Sequence, residues 1–138
     1  MSARTPLQTV QEIYTAFGTG DVPAILERVA PDVDWLVHGP EGLPFTGRFD
    51  GHDGTVRFFS TVGEISQHSA FEPHEFIADG DDVVAFGIER GTIRTTGKTF
   101  DSNWAHSFTV RDGRVTRFRL FTDTAQFVEA MQPDEAAA

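Results

Sequence analysis

The chain has 138 residues, with 21 acidic and 11 basic side chains, a formal net charge of −10 and no cysteine. The acidic charge argues against binding nucleic acid or an anionic membrane surface, because like charges repel. The lack of cysteine excludes disulfides, thiol nucleophiles and thiolate metal sites. The length suits a single domain over residues 1–138, with its core at residues 5–131.

Thirteen phenylalanines in so short a chain predict a roomy, ring-lined interior. No apolar run reaches the roughly 20 residues that a membrane-spanning helix needs, and the first ten residues lack the apolar core of a signal peptide. We therefore expect a cytoplasmic protein that acts on a small apolar molecule.

Two helices are predicted at the start of the chain. Thr5 is placed as the N-cap of the first helix, Gln8 completes a capping box, and Gly18 ends the apolar stripe. Asp21 is placed as the N-cap of a second helix, which the sequence ends at residues 30–32.

Strands dominate the rest of the chain. A first strand is predicted over residues 33–38, followed by a Gly/Pro loop over 39–50 and a third helix over 51–62. Two further strands are predicted over residues 71–78 and 83–95.

A β-hairpin is predicted over residues 98–123, because Asp112-Gly113 between alternating segments is a strong hairpin signal. Trp104, His106 and Phe108 share one face of its first strand, since side chains alternate along a strand. A short final helix follows. The order ααβαβββ before that helix predicts an α+β domain, with a curved mixed or antiparallel sheet wrapped over the N-terminal helices.

Several short segments between Leu7 and Met131 carry a family resemblance. They are Gly20-Asp21, the sequence APDVDW at 30–35, Trp104-Ala105-His106, RDGRV at 111–115 and Asp123-Thr124-Ala125. In these segments the chain resembles the nuclear transport factor 2-like superfamily, and within it the SnoaL-like polyketide-cyclase and ketosteroid-isomerase-like branch.

The resemblance implies a cone-shaped α+β barrel with a deep, largely apolar cavity, assembled as a homodimer through the outer face of the sheet. It also implies an isomerase, cyclase, dehydratase or hydrolase that needs no cofactor and acts on an apolar compound with a carbonyl or epoxide group. Because a fold does not fix a function, the alternative is a non-catalytic small-molecule binding protein or a dimeric interaction protein.

His106 and His38 are the candidate catalytic residues. By the resemblance, His106 lies where related isomerases carry an acidic hydrogen-bond donor to an oxyanion. A histidine there can donate to a substrate carbonyl or transfer a proton, or it is a core histidine satisfied by a neighbour. His38 lies close to the general-base aspartate of the isomerases, although a one-residue shift would put Val37 there. Asp34 is the other candidate proton acceptor.

The candidate ligand-binding residues include both aromatic and charged side chains. Leu120 takes the strand position at which related cyclases carry a catalytic aspartate. Arg90 is predicted on an inward face with Phe86, and a one-residue shift in register would exchange it with Glu89. Asp123 either caps the last helix or reaches the mouth of the cavity. The full set is Tyr14, Trp35, Phe59, Phe86, Arg90, Trp104, Phe118, Leu120 and Asp123.

No cofactor or metal is predicted. The sequence has no G-x-S-x-G, Walker or G-x-G-x-x-G motif, and its five histidines show no metal-ligand spacing. In the related isomerases a tyrosine on the first helix donates to the oxyanion. The residue that aligns with it here is Ile13, next to Tyr14.

Overall fold

Four helices and six strands make up residues 4–133, the part of the chain that this computed structural model describes. The helices are α1 (Pro6–Gly18), α2 (Val22–Glu27), α3 (Gly51–Ile65) and α4 (Thr124–Met131). The strands are β1 (Val29–Val37), β2 (Gly47–Arg48), β3 (Ser66–Asp79), β4 (Asp82–Ile93), β5 (Thr99–Arg111) and β6 (Arg114–Thr122). Residues 1–3 and 134–138 of the predicted single domain lie outside the described part.

The strands form one curved sheet in the order β2-β1-β6-β5-β4-β3. Only β1 and β6 pair in parallel; the other neighbours are antiparallel. This confirms the predicted α+β domain with a curved sheet over N-terminal helices. The strand β2, two residues long and paired with the end of β1, was not predicted.

The predicted helix starts are confirmed. The Thr5 side chain accepts a hydrogen bond from the backbone N–H of Gln8, and the Gln8 side chain accepts one from the backbone N–H of Thr5. The Asp21 carboxylate accepts from the N–H of Ala24. The predicted end of α2 is wrong, because Val29 already pairs with Val115 of β6 and so begins β1.

The predicted hairpin is confirmed at its turn. Arg111 pairs with Arg114, and Asp112 and Gly113 have φ values of 53° and 73°. Two positive φ values are what a two-residue turn with the twist of the flanking strands requires. The predicted shared face is also confirmed, since Trp104, His106 and Phe108 are all buried on the side of the sheet that faces the helices, here called the inner face.

The predicted inward face of β4 is wrong by one residue. Glu89 is buried on the inner face, whereas Phe86 and Arg90 lie exposed on the outer face. The large apolar side chain of Phe86 favours burial, but in β4 it lies on the exposed face. Gly87 and Gly91 flank Glu89 on the inner face, where a Cβ atom would collide with the rings of Trp104 and Phe100 on β5. Small residues are needed here because the neighbouring rings lie across the strand.

No helix within residues 4–133 is long and apolar enough to cross a membrane.

Candidate functional site

A pocket of about 80 Å³ lies between the inner face of the sheet and α1, α3 and α4. This volume is several times the roughly 10–15 Å³ that a single buried water needs. Its polar lining consists of Tyr14, Ser66, His68, Glu89, His106 and Thr122. The remaining lining is apolar: Ile13, Phe17, Trp35, Phe45, Phe58, Phe59, Val62, Ile65, Phe71, Phe108, Phe118, Leu120 and Phe127.

The first polar feature of the pocket is a pair formed by Tyr14 of α1 and His106 of β5. The tyrosine hydroxyl oxygen lies 2.7 Å from Nδ1 of His106, a short hydrogen bond. Within residues 4–133, the other ring nitrogen of His106 has no hydrogen-bond partner. The apolar spacing of α1 directs Tyr14 toward the sheet, and the alternation of β5 directs His106 toward the helix.

Burial keeps both members of this pair neutral. Desolvation lowers the pKa of His106 to about 3, well below its ordinary value of 6.5. Desolvation likewise raises the pKa of the Tyr14 hydroxyl above its ordinary value of 10.0. At neutral pH the pair therefore consists of an uncharged phenol and an uncharged imidazole.

Aromatic rings hold His106 in place. Its imidazole stacks on Trp104 with ring centres 4.1 Å apart, and Trp104 stacks in turn on Phe71 at 4.9 Å. The indole N–H groups of Trp35 and Trp104 are buried without a hydrogen-bond partner within residues 4–133. The surroundings of the pair are therefore apolar, which is the cause of the two pKa shifts.

The second polar feature is a hydrogen-bonded chain centred on Glu89, here called the Glu89 network. His68 Nε2 lies 2.9 Å from one carboxylate oxygen of Glu89, and the hydroxyl of Thr122 lies 3.3 Å from the other. The Thr122 and Ser102 hydroxyl oxygens are 2.7 Å apart. Ser102 also accepts from the backbone N–H of Asp123 at 2.9 Å. These contacts tie the carboxylate to β3, β6 and the start of α4.

Several predicted site residues do line the pocket: His106, Tyr14, Trp35, Phe59, Phe118 and Leu120. Trp104 lies behind His106 and supports it without reaching the pocket surface. Tyr14 reaches the pocket beside Ile13, the residue that aligns with the oxyanion tyrosine of the isomerases. The position of Leu120 on the inner face leaves an apolar side chain where the related cyclases have a carboxylate.

Three predicted site residues lie elsewhere. His38 is exposed and stacks on Phe121 at 4.5 Å, while its neighbour Val37 takes the buried position. Arg90 forms an exposed ion pair with Asp101. Asp123 is exposed at the N-cap of α4, although its side chain makes no capping hydrogen bond.

Phe86 and Asp34 are also outside the pocket. Phe86 is exposed on the outer face of β4. Asp34 forms ion pairs with Arg119 and Arg48. Hydrogen bonds from Arg119, reinforced by Arg48, hold the pKa of the Asp34 carboxyl below its ordinary value. This carboxylate is therefore committed to two arginines and is poorly suited to accept a proton from a substrate.

His68 and Thr122 line the pocket without having been predicted there, and Glu89 was predicted there only as the result of a one-residue shift in register. The sequence does contain a signal for Glu89. Gly87 and Gly91 lie two residues before and after it, so they share its face of β4 and mark that face as the crowded one. His68 precedes a bulge in β3, so alternation alone does not give its direction. Within residues 4–133 no group of three or more His, Asp or Glu side chains is arranged to hold a metal ion.

Comparison with known proteins was made by sequence and by structure. A family model described as a SnoaL-like domain matches residues 10–118. An uncharacterised protein of Mycobacterium tuberculosis is 27% identical over 121 residues, which cover 88% of this chain and 91% of that protein.

Solved structures resemble the whole described fold. An NTF2-like protein from Burkholderia thailandensis has a TM-score of 0.86 and 35% identity, covering 94% of this chain and 99% of that one. TerC, co-crystallised with polyporic acid, has a TM-score of 0.76 and 33% identity, covering 91% of this chain and 98% of that one.

Proposed function

Because the chain belongs to the SnoaL-like domain family of the nuclear transport factor 2-like superfamily, we propose that it is a small-molecule enzyme that needs no cofactor. Its ligand is an apolar ring compound that carries a carbonyl oxygen. The reaction is one in which negative charge develops on that oxygen, as in an isomerisation, cyclisation or dehydration next to a carbonyl group. The hydrogen bond between Tyr14 and His106 in an aromatic pocket is the observation that carries this proposal.

A count of hydrogens supports a donor role for this pair. A neutral tyrosine and a neutral histidine each have one polar hydrogen, and the bond between them uses one. If Tyr14 donates to Nδ1, the ring hydrogen is on Nε2 and remains available. If Nδ1–H donates to Tyr14, the phenol hydrogen remains available. Either tautomer leaves one donor for a ligand oxygen.

The apolar surroundings make that donor effective. A fixed donor in a site of low dielectric stabilises a developing oxyanion more strongly than water does. Since burial lowers the pKa of His106 to about 3, the pair stays uncharged and offers its hydrogen without a competing counter-ion. A relative 33% identical that was crystallised with an organic acid, polyporic acid, supports an organic ligand for this pocket.

Binding of acetophenone and ethylbenzene tests the donor role, because the two probes differ by the carbonyl oxygen. The indole N–H signals of the two tryptophans report binding by NMR. We expect the wild-type protein to bind acetophenone more tightly, and the double variant Tyr14→Phe, His106→Phe to bind both probes equally, because it removes both hydrogens of the pair. Equal affinity of the wild-type protein for the two probes would contradict the proposal.

Exchange of hydrogen for deuterium tests catalysis. Enolate formation transfers a methyl proton of acetophenone to a base in the solvent, and D₂O then returns a deuteron, so a pocket that stabilises the enolate accelerates the loss of the methyl proton signal. We expect acceleration by the wild-type protein and a reduction of at least tenfold in the double variant Tyr14→Phe, His106→Phe, which removes both hydrogens of the pair. Binding without any acceleration would favour the alternative function, a non-catalytic small-molecule binding protein with the same pocket.

We also propose that two copies of the chain pair through the outer face of the sheet. Ile77, Phe86 and Phe121 are 54%, 38% and 47% exposed on that face. Ala105 pairs with Phe86 on one side and with Phe121 on the other, so these three side chains form a continuous apolar row. Such a patch is typical of an interface between subunits.

Sedimentation at micromolar concentration tests the dimer. We expect the wild-type protein to sediment at about twice its 15.2 kDa chain mass. The double substitution Phe86→Ser and Phe121→Ser removes exposed apolar surface and is expected to give a folded monomer. A wild-type protein that sediments as a monomer would contradict this part of the proposal.

A further inference from the structure

We propose a second polar subsite in the same pocket, where the free carboxylate oxygen of Glu89 accepts a hydrogen bond from a hydroxyl group of the ligand. This inference rests on the proposed function, because it completes the description of the same ligand. It assigns the ligand class as a ring compound with a carbonyl oxygen at one end and a hydroxyl group at the other.

Glu89 is a buried acidic side chain that lines the pocket, with only 11% of its side chain exposed. A buried carboxylate is costly unless hydrogen-bond donors surround it. One of its oxygens forms a hydrogen bond with His68 Nε2 at 2.9 Å. The other oxygen has only Thr122 nearby, at 3.3 Å, which is long for a hydroxyl donor.

The Glu89 network has one hydrogen too few. Ser102 and Thr122 each carry a single hydroxyl hydrogen. Three contacts compete for these two hydrogens: Ser102 to the backbone oxygen of Asn103 at 2.9 Å, Ser102 to Thr122 at 2.7 Å, and Thr122 to Glu89 at 3.3 Å. If the two shortest contacts are hydrogen bonds, the second oxygen of Glu89 has no donor within residues 4–133.

A ligand hydroxyl supplies the missing hydrogen. The hydroxyl group lies in the pocket beside the carboxylate. Its O–H donates a charge-assisted hydrogen bond to the Glu89 oxygen that lacks a donor. All three contacts of the network would also have a hydrogen if the Glu89 carboxyl carried its own proton and donated it to Thr122. In that case the pocket would show no preference for a hydroxylated ligand, which makes the two arrangements distinguishable by binding.

The sheet register places the two subsites at opposite ends of the pocket. Glu89 pairs with Ser102 and Ala85 pairs with His106, so Glu89 and His106 are four residues apart along the ladder. At about 3.4 Å for each residue, their backbones are separated by about 14 Å along the strands. Both side chains project from the inner face into the pocket. A para-substituted aromatic ring, with a polar group at each end, fits this arrangement.

Three probes separate the two subsites: acetophenone, 4-ethylphenol and 4-hydroxyacetophenone. The first carries the carbonyl alone, the second the hydroxyl alone and the third both. Affinities are measured by NMR at a pH at which the phenol is not ionised. We expect the wild-type protein to bind 4-hydroxyacetophenone about tenfold more tightly than acetophenone, a difference of about 1.4 kcal/mol.

Glu89→Met removes the acceptor while keeping a side chain of similar length. We expect it to bind 4-hydroxyacetophenone and acetophenone equally. The matched control is Glu64→Met, which alters an exposed glutamate on α3 and is expected to keep the tenfold preference. If Glu89→Met does not fold, Glu89→Gln replaces it, and we expect the preference to fall because the amide is uncharged.

The outcomes separate this inference from the proposed function. Equal binding of acetophenone and 4-hydroxyacetophenone by the wild-type protein would overturn the Glu89 subsite. Under that result, a retained preference for acetophenone over ethylbenzene would leave the donor role of Tyr14 and His106 standing. A tenfold preference that persists in Glu89→Met would also overturn the inference, because the hydroxyl would then be recognised elsewhere.

Discussion

The Tyr14–His106 pair and the Glu89 network both place polar atoms in one aromatic pocket, but different forces hold them there. The pair has one hydrogen bond and is otherwise enclosed by rings, so burial alone keeps it neutral. The Glu89 network reaches the backbone through Ser102, which bonds to Asn103 and Asp123. Packing therefore fixes the first cluster, and hydrogen bonding fixes the second.

Alanine substitutions at two glycines of β4 test the packing around the two clusters separately. At Gly87, a Cβ atom would collide with the Glu72 backbone oxygen and with the Trp104 ring that supports His106. We expect Gly87→Ala to lower the free energy of unfolding by about 3 kcal/mol, because neither neighbour is free to move away. Urea denaturation measures this loss.

Gly91→Ala and Gly63→Ala are the comparison and the control for that substitution. At Gly91 the nearest atoms would be the Gln67 oxygen at 2.5 Å and the Phe100 ring at 2.7 Å, so we expect a smaller loss. Gly63 lies in α3 with nothing near its missing Cβ, and alanine there is expected to be neutral or stabilising. Equal stability of Gly87→Ala and Gly63→Ala would show that Trp104 is not held by packing against β4.

Removal of the Tyr14 hydroxyl breaks the one hydrogen bond that the first cluster makes within residues 4–133. We expect Tyr14→Phe to cost about 2 kcal/mol of unfolding free energy, because His106 is left buried with an unsatisfied ring nitrogen. The double variant Tyr14→Phe, His106→Phe should lose less unfolding free energy than the sum of the two single losses, because both substitutions remove the same hydrogen bond. Urea denaturation of the four proteins at pH 8 measures this coupling.

Thr122→Val is the matched substitution in the Glu89 network. We expect a loss of about 1 kcal/mol, because Ser102 keeps its bonds to Asn103 and Asp123 while Glu89 keeps its bond to His68. A loss as large as that of Tyr14→Phe would mean that the network is no more redundant than the pair. The difference between the clusters would then disappear.

The sequence predicted His106 of the first cluster directly, whereas it placed Glu89 of the second on the inner face only if the register shifted by one residue. The Asp112-Gly113 turn set the alternation of β5, so the inward direction of His106 followed from local signals. Glu89 was not placed there directly because its direction depends on the rings of Trp104 and Phe100, which belong to another strand. Within β4 the spacing of Gly87 and Gly91 marks the crowded face, whereas the large apolar side chain of Phe86 favours the open one.

His38 is a second residue whose side-chain direction could not be predicted from its own segment. Its place at the end of β1 was predicted to within one residue, but one residue decides which side of the sheet a side chain occupies. Val37 is buried and His38 is exposed because Val37 pairs with Leu120, an inner-face residue of β6. The partner strand therefore determines which of the two faces the interior, and that pairing cannot be seen in the segment itself.

The pH dependence of stability tests whether burial alone accounts for the first cluster. His106 has a pKa of about 3 in the folded protein, and its ordinary value is 6.5. Between these values the unfolded chain binds a proton that the folded protein does not, so stability falls as the pH is lowered. From pH 8 to pH 5.5 this contribution amounts to about 1.4 kcal/mol.

His106→Phe is expected to remove that contribution, measured as a smaller difference in unfolding free energy between pH 8 and pH 5.5 than in the wild-type protein. Tyr14→Phe is the control, because it leaves His106 buried and should keep the wild-type pH dependence while lowering stability at both values. If Tyr14→Phe instead abolished the pH dependence, the hydrogen bond rather than desolvation would set the charge state of His106. The two clusters would then be held by the same force.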